Sequence, residues 1–341
     1  MASIFARLVC ALLLACSTGA AVAQAAATRP YRIVMVLWRG ETDVERGFRD
    51  YMTAHHVNVE YIVRNAGQDS TRLPGFVDEI RRLRPDLVYT WGTSATLGIV
   101  GPYDSPEPQR YIRDIPVVFG LVAFPVRAHI VQAMAAPPAP TSSRRNVTGV
   151  YHVARLEAQL EALRAYRPLQ RLGVLYNSAE ANSVAGVQEM REAARREHFQ
   201  LIERTFQKTA GGAPSAEGIS RLVAEIQRAG AQWLYIGPDT FLFTQLGAVA
   251  AAARQNRLPM FATTAAVFDA APDIVAALVV PYRDVGQLAA HQAARILVQH
   301  VAPADIAVQT LARFSFSVHL QAAKALHFLP PITMFDYADL R

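Results

Sequence analysis

Six short polar clusters stand where an apolar run gives way to a helical pattern. They are Trp38-Arg39-Gly40-Glu41-Thr42, then Trp91-Gly92-Thr93-Ser94, then Asn177-Ser178 with Glu180, Asn182 and Ser183. Gly237-Pro238-Asp239-Thr240, Thr263-Thr264 and Tyr282-Arg283-Asp284 complete the set. The hydroxyls of Thr93, Ser94, Ser183, Thr240, Thr263 and Thr264 and the amides of Asn177 and Asn182 suit a carboxylate. The N–H groups and positive dipole end of a following helix reinforce that preference. Glu180 and Asp239 suit a cationic group, and Arg39 with Glu41 forms an exposed charged pair in the first cluster. Trp38 and Trp91 end strands and offer an aromatic floor to a planar or apolar ligand. Each type has a plainer use as well. Thr, Ser and Asp cap helices, Asn and Ser make turns, and tryptophans pack cores. Tyr282 and Asp284 suit a hinge better than a contact with ligand.

Other chemistries lack their residues. The chain contains no G-x-G-x-x-G, no phosphate-binding lysine loop and no G-x-S-x-G elbow. His55 and His56 are adjacent and cannot share a helix face, and the remaining histidines are dispersed. No His, Asp or Glu set has metal-ligand spacing. The expectation is a binding protein with neither cofactor nor metal, and not an enzyme.

The elements that must position these clusters alternate. Apolar runs at 31–38, 57–63, 86–90, 115–120, 146–150, 172–176, 199–206, 231–236, 258–262 and 276–280 have strand length and composition. Helical patterns fall at 43–55, 74–83, 95–101, 154–165, 184–197, 219–229, 241–254 and 285–300. Continuous apolar strands separated by helices predict parallel sheets covered on both faces. Polar clusters at strand ends then line a crevice. The simplest architecture is α/β, with two doubly wound parallel-sheet lobes and a ligand cleft between them. The chain crosses between lobes near 149–152 and again near 281–284.

At 341 residues, 52% apolar and 18% charged, the chain has room for two lobes with large cores. A net charge of +6 is spread without a basic stripe, which argues against nucleic acid as a partner. Residues 1–25 read as an export signal. Arg7 gives the positive end, 8–15 a short apolar run and Ala21-Val22-Ala23 a cleavage site. Leu13-Leu14-Ala15-Cys16 also matches a lipobox, with Cys16 as the lipidated residue. Cys10 and Cys16 are the only cysteines, so cleavage leaves neither disulfide nor thiolate. A Pro- and Ala-rich stretch at 135–145 reads as an exposed excursion.

In order and spacing, several pieces resemble the periplasmic substrate-binding proteins of ABC transporters, type I fold. The pieces are Ile115-Pro116-Val117-Val118-Phe119-Gly120, Asn146-Val147-Thr148-Gly149-Val150 and Leu172-Gly173-Val174-Leu175-Tyr176-Asn177. Leu258-Pro259-Met260-Phe261-Ala262 and Tyr282-Arg283-Asp284-Val285-Gly286 follow. The chain is most similar to the tryptophan- and tyrosine-binding branch. The resemblance implies a monomeric periplasmic receptor that closes on a small ligand and presents it to an inner-membrane ABC permease. It implies lobe one at 30–148 plus 282–310 and lobe two at 151–280 plus 311–341. The ligand implied is an amino acid or an aromatic or branched carboxylic acid. Two departures stand out: a shorter first loop at 38–42, and no acid in Thr263-Thr264-Ala265-Ala266. Glu180 or Asp239 can take the place of that acid as partner of an α-ammonium group. The rival readings are a sensor for a signalling partner and, further off, an α/β hydrolase or oxidoreductase.

Overall fold

The side chains from Ile33 to Leu37 are all buried, on both faces of their strand, and this fixes where the strand runs. β1 (Tyr31–Leu37) lies inside a five-stranded parallel sheet. Its partners are β2 (Val59–Asn65), β3 (Leu87–Trp91), β4 (Val117–Val122) and β5 (Val147–Tyr151), in the order β2-β1-β3-β4-β5. The interior strands β3 and β4 are wholly buried, whereas the edge strand β2 is half-buried. Helices α1 (Asp43–Ala54), α2 (Leu73–Leu83) and α3 (Gly92–Val100) make the crossovers. The computed structural model describes residues 29–134 and 146–341. The expected export signal, with Arg7, Cys10 and Cys16, and the stretch 135–145 lie outside the described residues.

α4 (Leu156–Tyr166) leads to a second, seven-stranded sheet. It contains β6 (Arg171–Tyr176), β7 (Gln200–Thr205), β10 (Trp233–Ile236), β11 (Met260–Ala262) and β12 (Ala276–Val279). β8 (Gln207–Lys208) and β9 (Pro214–Ser215) pair only with each other. The helices here are α5 (Ala181–Arg196), α6 (Ile219–Arg228), α7 (Thr240–Thr244), α8 (Leu246–Gln255) and α9 (Ala265–Ala270). After α10 (Tyr282–Leu297) the chain returns to this sheet with β13 (Ser315–Val318), α11 (Leu320–Ala325) and β14 (Asp339–Leu340). The order is β14-β13-β12-β11-β10-β6-β7. β13 runs antiparallel to β12, so this sheet is not wholly parallel. β13 and β14, which have no counterpart among the apolar runs of the sequence, extend the edge. The doubly wound α/β architecture with two lobes is otherwise as the alternation predicts.

α10 follows a strand of the second sheet yet packs on α1 of the first. The approach is backbone to backbone. A Cβ on Gly47 would lie 2.0 Å from the Arg283 carbonyl oxygen, and one on Gly286 1.9 Å from that of Val44. Alanine at either position forces the helices apart, a cost of about 1–3 kcal/mol or more. Three segments thus join the sheets: the exit of β5, the entry to α10 and the return after Gln309. They are tied together, because Tyr151 N–H donates to Gln309 O at 3.0 Å and Thr148 Oγ1 donates to Ile306 O at 2.8 Å. Tyr31–Arg341 forms one unit.

Several helices start earlier than their periodicity suggests. α3 starts at Gly92 instead of 95, α5 at Ala181 instead of 184, and α10 at Tyr282 instead of 285. First-turn N–H groups need no intrahelical acceptor, so polar residues and glycine are tolerated there and mask the start. Thr93, Ser94, Asn182, Ser183, Tyr282 and Asp284 are therefore helix first-turn residues. Thr263-Thr264 leads directly into α9. The pattern at 241–254 is two helices broken at Gln245. There Thr244 Oγ1 bonds the Phe241 carbonyl at 2.7 Å, a local competitor of the helical ladder.

Candidate functional site

The carboxyl ends of the two sheets face one another across a small cavity of about 60 Å³. Sheet one contributes Trp38 and Arg39 after β1, Trp91 to Ser94 at the end of β3, and Leu121, Ala123 and His152 at the ends of β4 and β5. Sheet two contributes Glu180, Asn182, Asp239, Thr240, Phe243, Thr264 and Val267, and Tyr282 opens α10 beside them. A wider groove of about 740 Å³ shares Trp38, Ser94, Glu180 and Thr240 with the cavity and adds Asn177. The inner space is far below the ~300 Å³ at the small end of ligand pockets. An amino-acid-sized molecule therefore enters only with displacement of a wall or opening of the lobes.

The sheet-one wall is built by a capping box. Thr42 caps α1, and its N–H and hydroxyl both donate to Glu45 Oε2, at 2.7 and 2.9 Å. Tyr89 Oη donates to Glu45 Oε1 at 3.0 Å, and Trp91 Nε1 donates to Thr42 Oγ1 at 3.2 Å. Burial pushes the Glu45 carboxyl up against these donors. This hydrogen-bond network clamps the loop at 38–42 and the Trp91 ring. Arg39 then projects into the cavity, 5.0 Å from the Trp91 ring centre and 4.1 Å from that of Phe243 on the other wall. Among the described residues its guanidinium has no ion pair and no hydrogen bond. Burial lowers its pKa, with Tyr282, Glu180 and Glu45 opposing. α3 begins without a side-chain cap, so its first N–H groups are free to meet an anion. Gly92, at φ +80, permits this abrupt strand-to-helix turn. Leu121 holds φ +54 beside the irregular register of β4 and β5, a strained conformation at the cavity wall.

The sheet-two wall is a closed network. Asp239 caps α7 through Leu242 N–H at 2.7 Å and also accepts from Asn177 N–H at 2.6 Å and Ser183 Oγ at 2.8 Å. Glu180 accepts from Thr240 N–H at 2.9 Å, Thr240 Oγ1 at 2.6 Å and Asn182 Nδ2 at 3.0 Å. Asn182 also donates to Pro238 O at 2.6 Å. Burial raises both carboxyls, and the charge of Asp239 adds to the rise at Glu180.

A family model of ABC transporter substrate binding proteins matches residues 41–339. The chain belongs to this family. It is a binding protein, not an enzyme. A tyrosine-binding protein of Clostridioides difficile (strain R20291) is 22% identical over 283 residues, 83% of this chain and 73% of that protein. A conserved domain protein from Vibrio cholerae superposes with TM-score 0.76 at 20% identity, over 92% of this chain and 100% of that one. An ABC domain from Streptococcus pneumonia in complex with L-Trp gives TM-score 0.75 at 18% identity, over 91% and 99%. These likenesses are to the two-lobed type I fold.

Of the residues singled out by type in this substrate-binding protein, Trp38, Arg39, Trp91, Thr93, Ser94, Glu180, Asn182, Asp239, Thr240 and Thr264 line the cavity. Glu41 does not. It pairs with Arg49 at 2.9 and 2.6 Å on the exposed face of α1, so Arg39 and Glu41 are not a pair. Gly40, at φ +90, turns the chain between them. Asn177 faces the outer groove and accepts from Ala179 N–H at 3.0 Å in a local turn. Ser183 lies behind Asp239, and Thr263 Oγ1 donates to Ile236 O at 3.2 Å within the sheet. Tyr282 lines the cavity, whereas Asp284 is exposed on α10. Leu121, Ala123, His152, Phe243 and Val267 were not singled out. The first three obey the same strand-end rule as Trp91. Phe243 and Val267 stand three residues after Thr240 and Thr264, on the same helix faces.

Proposed function

We propose that this protein captures an amino-acid-like ligand, with an aromatic or branched side chain, between its lobes and delivers it to an ABC importer. The observation that carries the reading is Arg39, a half-buried guanidinium with neither ion pair nor hydrogen bond among the described residues, opposite a carboxylate. A ligand carboxylate pairs with Arg39 and the N-terminus of α3, with the hydroxyls of Thr93 and Ser94 beside it. An α-ammonium group meets Glu180, whose Oε2 carries only the Thr240 N–H contact. The side chain lies among Trp38, Trp91, Phe243 and Tyr282. Contacts to both walls favour the closed arrangement, which the permease then receives. The names of the tyrosine-binding relative and the L-Trp complex support the ligand class, and the leader supports export to the periplasm.

A thermal-shift screen of the purified protein, unfolded and refolded to strip carried ligand, tests this. Amino acids, aromatic acids, purines and short peptides form the panel. A ligand at a hundredfold excess over its Kd stabilises by about 2.7 kcal/mol, which raises Tm by several degrees. A saturable shift with aromatic or branched amino acids is expected. Shifts only with purines or peptides, or with nothing in the panel, overturn the reading.

A further inference from the structure

His152 stands out on the cavity wall because its bonding is incomplete. Only 5% of it is exposed, and its Nδ1 is a buried nitrogen without a protein partner. Trp38 Nε1 is the second such atom on the same wall. Buried polar atoms are nearly always satisfied, so an orphan on a residue that lines a cavity points to something the cavity receives. The position of His152 is fixed. It follows β5 directly, where Val150 bridges to Gln309 and Tyr151 N–H donates to Gln309 O at 3.0 Å. Its ring stands edge-on to Tyr282, with centres 6.0 Å apart and planes at 87°. The imidazole thus sits on the segment joining the lobes, on the wall of the same cavity as Arg39. Burial, opposed by the Val122 backbone and aided by the nearby Arg39 charge, holds it neutral, with a pKa of about 3. A neutral imidazole offers one donor and one acceptor nitrogen. It is a good partner for a hydroxyl or an N–H.

We propose that His152 is a specificity-determining residue, whose Nδ1 hydrogen-bonds a polar atom of the ligand side chain. This rests on the amino-acid reading above and deepens it. The preferred ligand is an aromatic amino acid with a polar tip, a phenol or an indole N–H, over its hydrocarbon analogue. A site built to hydrogen-bond a hydroxyl rejects the analogue lacking it, because the buried group is then left unpaired.

Isothermal titration calorimetry with L-tyrosine, L-tryptophan and L-phenylalanine tests the proposal on the wild type, His152→Leu and His152→Asn. The wild type is expected to bind at least one polar-tipped ligand about tenfold or more tighter than L-phenylalanine. His152→Leu brings that ratio to about one and leaves L-phenylalanine affinity within about threefold. His152→Asn, which keeps a polar atom near the position of Nδ1, restores part of the ratio. A merely structural role would weaken all ligands together. If His152→Leu does not fold, His152→Met carries the same comparison. An unchanged ratio in the apolar variant, or no preference in the wild type, overturns this inference and leaves the amino-acid reading standing. Absence of binding by any aromatic or branched amino acid to the wild type overturns both.

Discussion

On the sheet-two wall Asp239 holds three donors, and Glu180 and Asn182 are bonded to Thr240 and Pro238. On the sheet-one wall Arg39, Trp38 and His152 have polar atoms that no described residue satisfies. Both walls are polar, and both sit at strand ends. The difference is where each group's hydrogen bonds go. A saturated network rigidifies its loops, and losing one member strands the others. An unsatisfied group carries a desolvation cost in the empty closed form that a ligand can remove. Polar residues in a cleft thus divide into those that build the wall and those that wait for a partner, and residue type does not separate them.

The contrast makes predictions that differ in kind. Asp239→Ala strands Leu242 N–H, Asn177 N–H and Ser183 Oγ and removes the cap of α7. It is expected to cost about 3 kcal/mol, seen as a lower urea midpoint. Retention of wild-type stability would mean that the sheet-two wall is not a scaffold. Arg39→Ala is expected to act the other way. Ligand affinity falls by about a hundredfold or more in calorimetry, while Tm stays level or rises, since a half-buried unpaired cation is removed. A large loss of stability there would erase the distinction between the walls.

His152 gives a pH test. Its folded pKa of about 3 lies below the ordinary 6.5, so the unfolded chain binds the extra proton first as pH falls. Stability from this group is complete above about 6.5 and is lost as pH drops from there towards 3. Between pH 7 and 5 the loss is about 2 kcal/mol. In urea titrations His152→Asn should show a shallower acid slope than the wild type. Equal slopes would mean that the imidazole is solvated. The smallest effect expected is from Glu180→Gln. Affinity for an α-amino acid falls about tenfold, while affinity for the corresponding acid without the amino group is unchanged, as competition binding would show.

The apolar run at 31–37 and its counterparts carry the fold, because burial on both faces leaves a parallel α/β sheet as the consistent solution. Strand ends were equally visible, and that is why Trp91, Glu180 and Asp239 could be picked out by type. Helix starts were less so, since first-turn residues such as Thr93 and Asn182 look like loop residues. β13 and β14 went unseen because an edge strand added from the far end of the chain has no local partner to announce it. The glycines at 47 and 286 give no local sign that their helices touch, because the contacts, Gly47 to Arg283 and Gly286 to Val44, join residues 236 and 242 positions apart.

The sequence by itself determined the alternation of elements, the absence of cysteine beyond residue 16 and the kinds of side chain placed at each strand end. Those are properties of local pattern and composition. Only the tertiary structure decided that Glu41 turns to Arg49 while Arg39 turns inward, that Asp239 is consumed by capping and that His152 keeps a buried nitrogen unpaired. Bonding state depends on which groups distant segments bring within about 3 Å, and no local pattern records that distance.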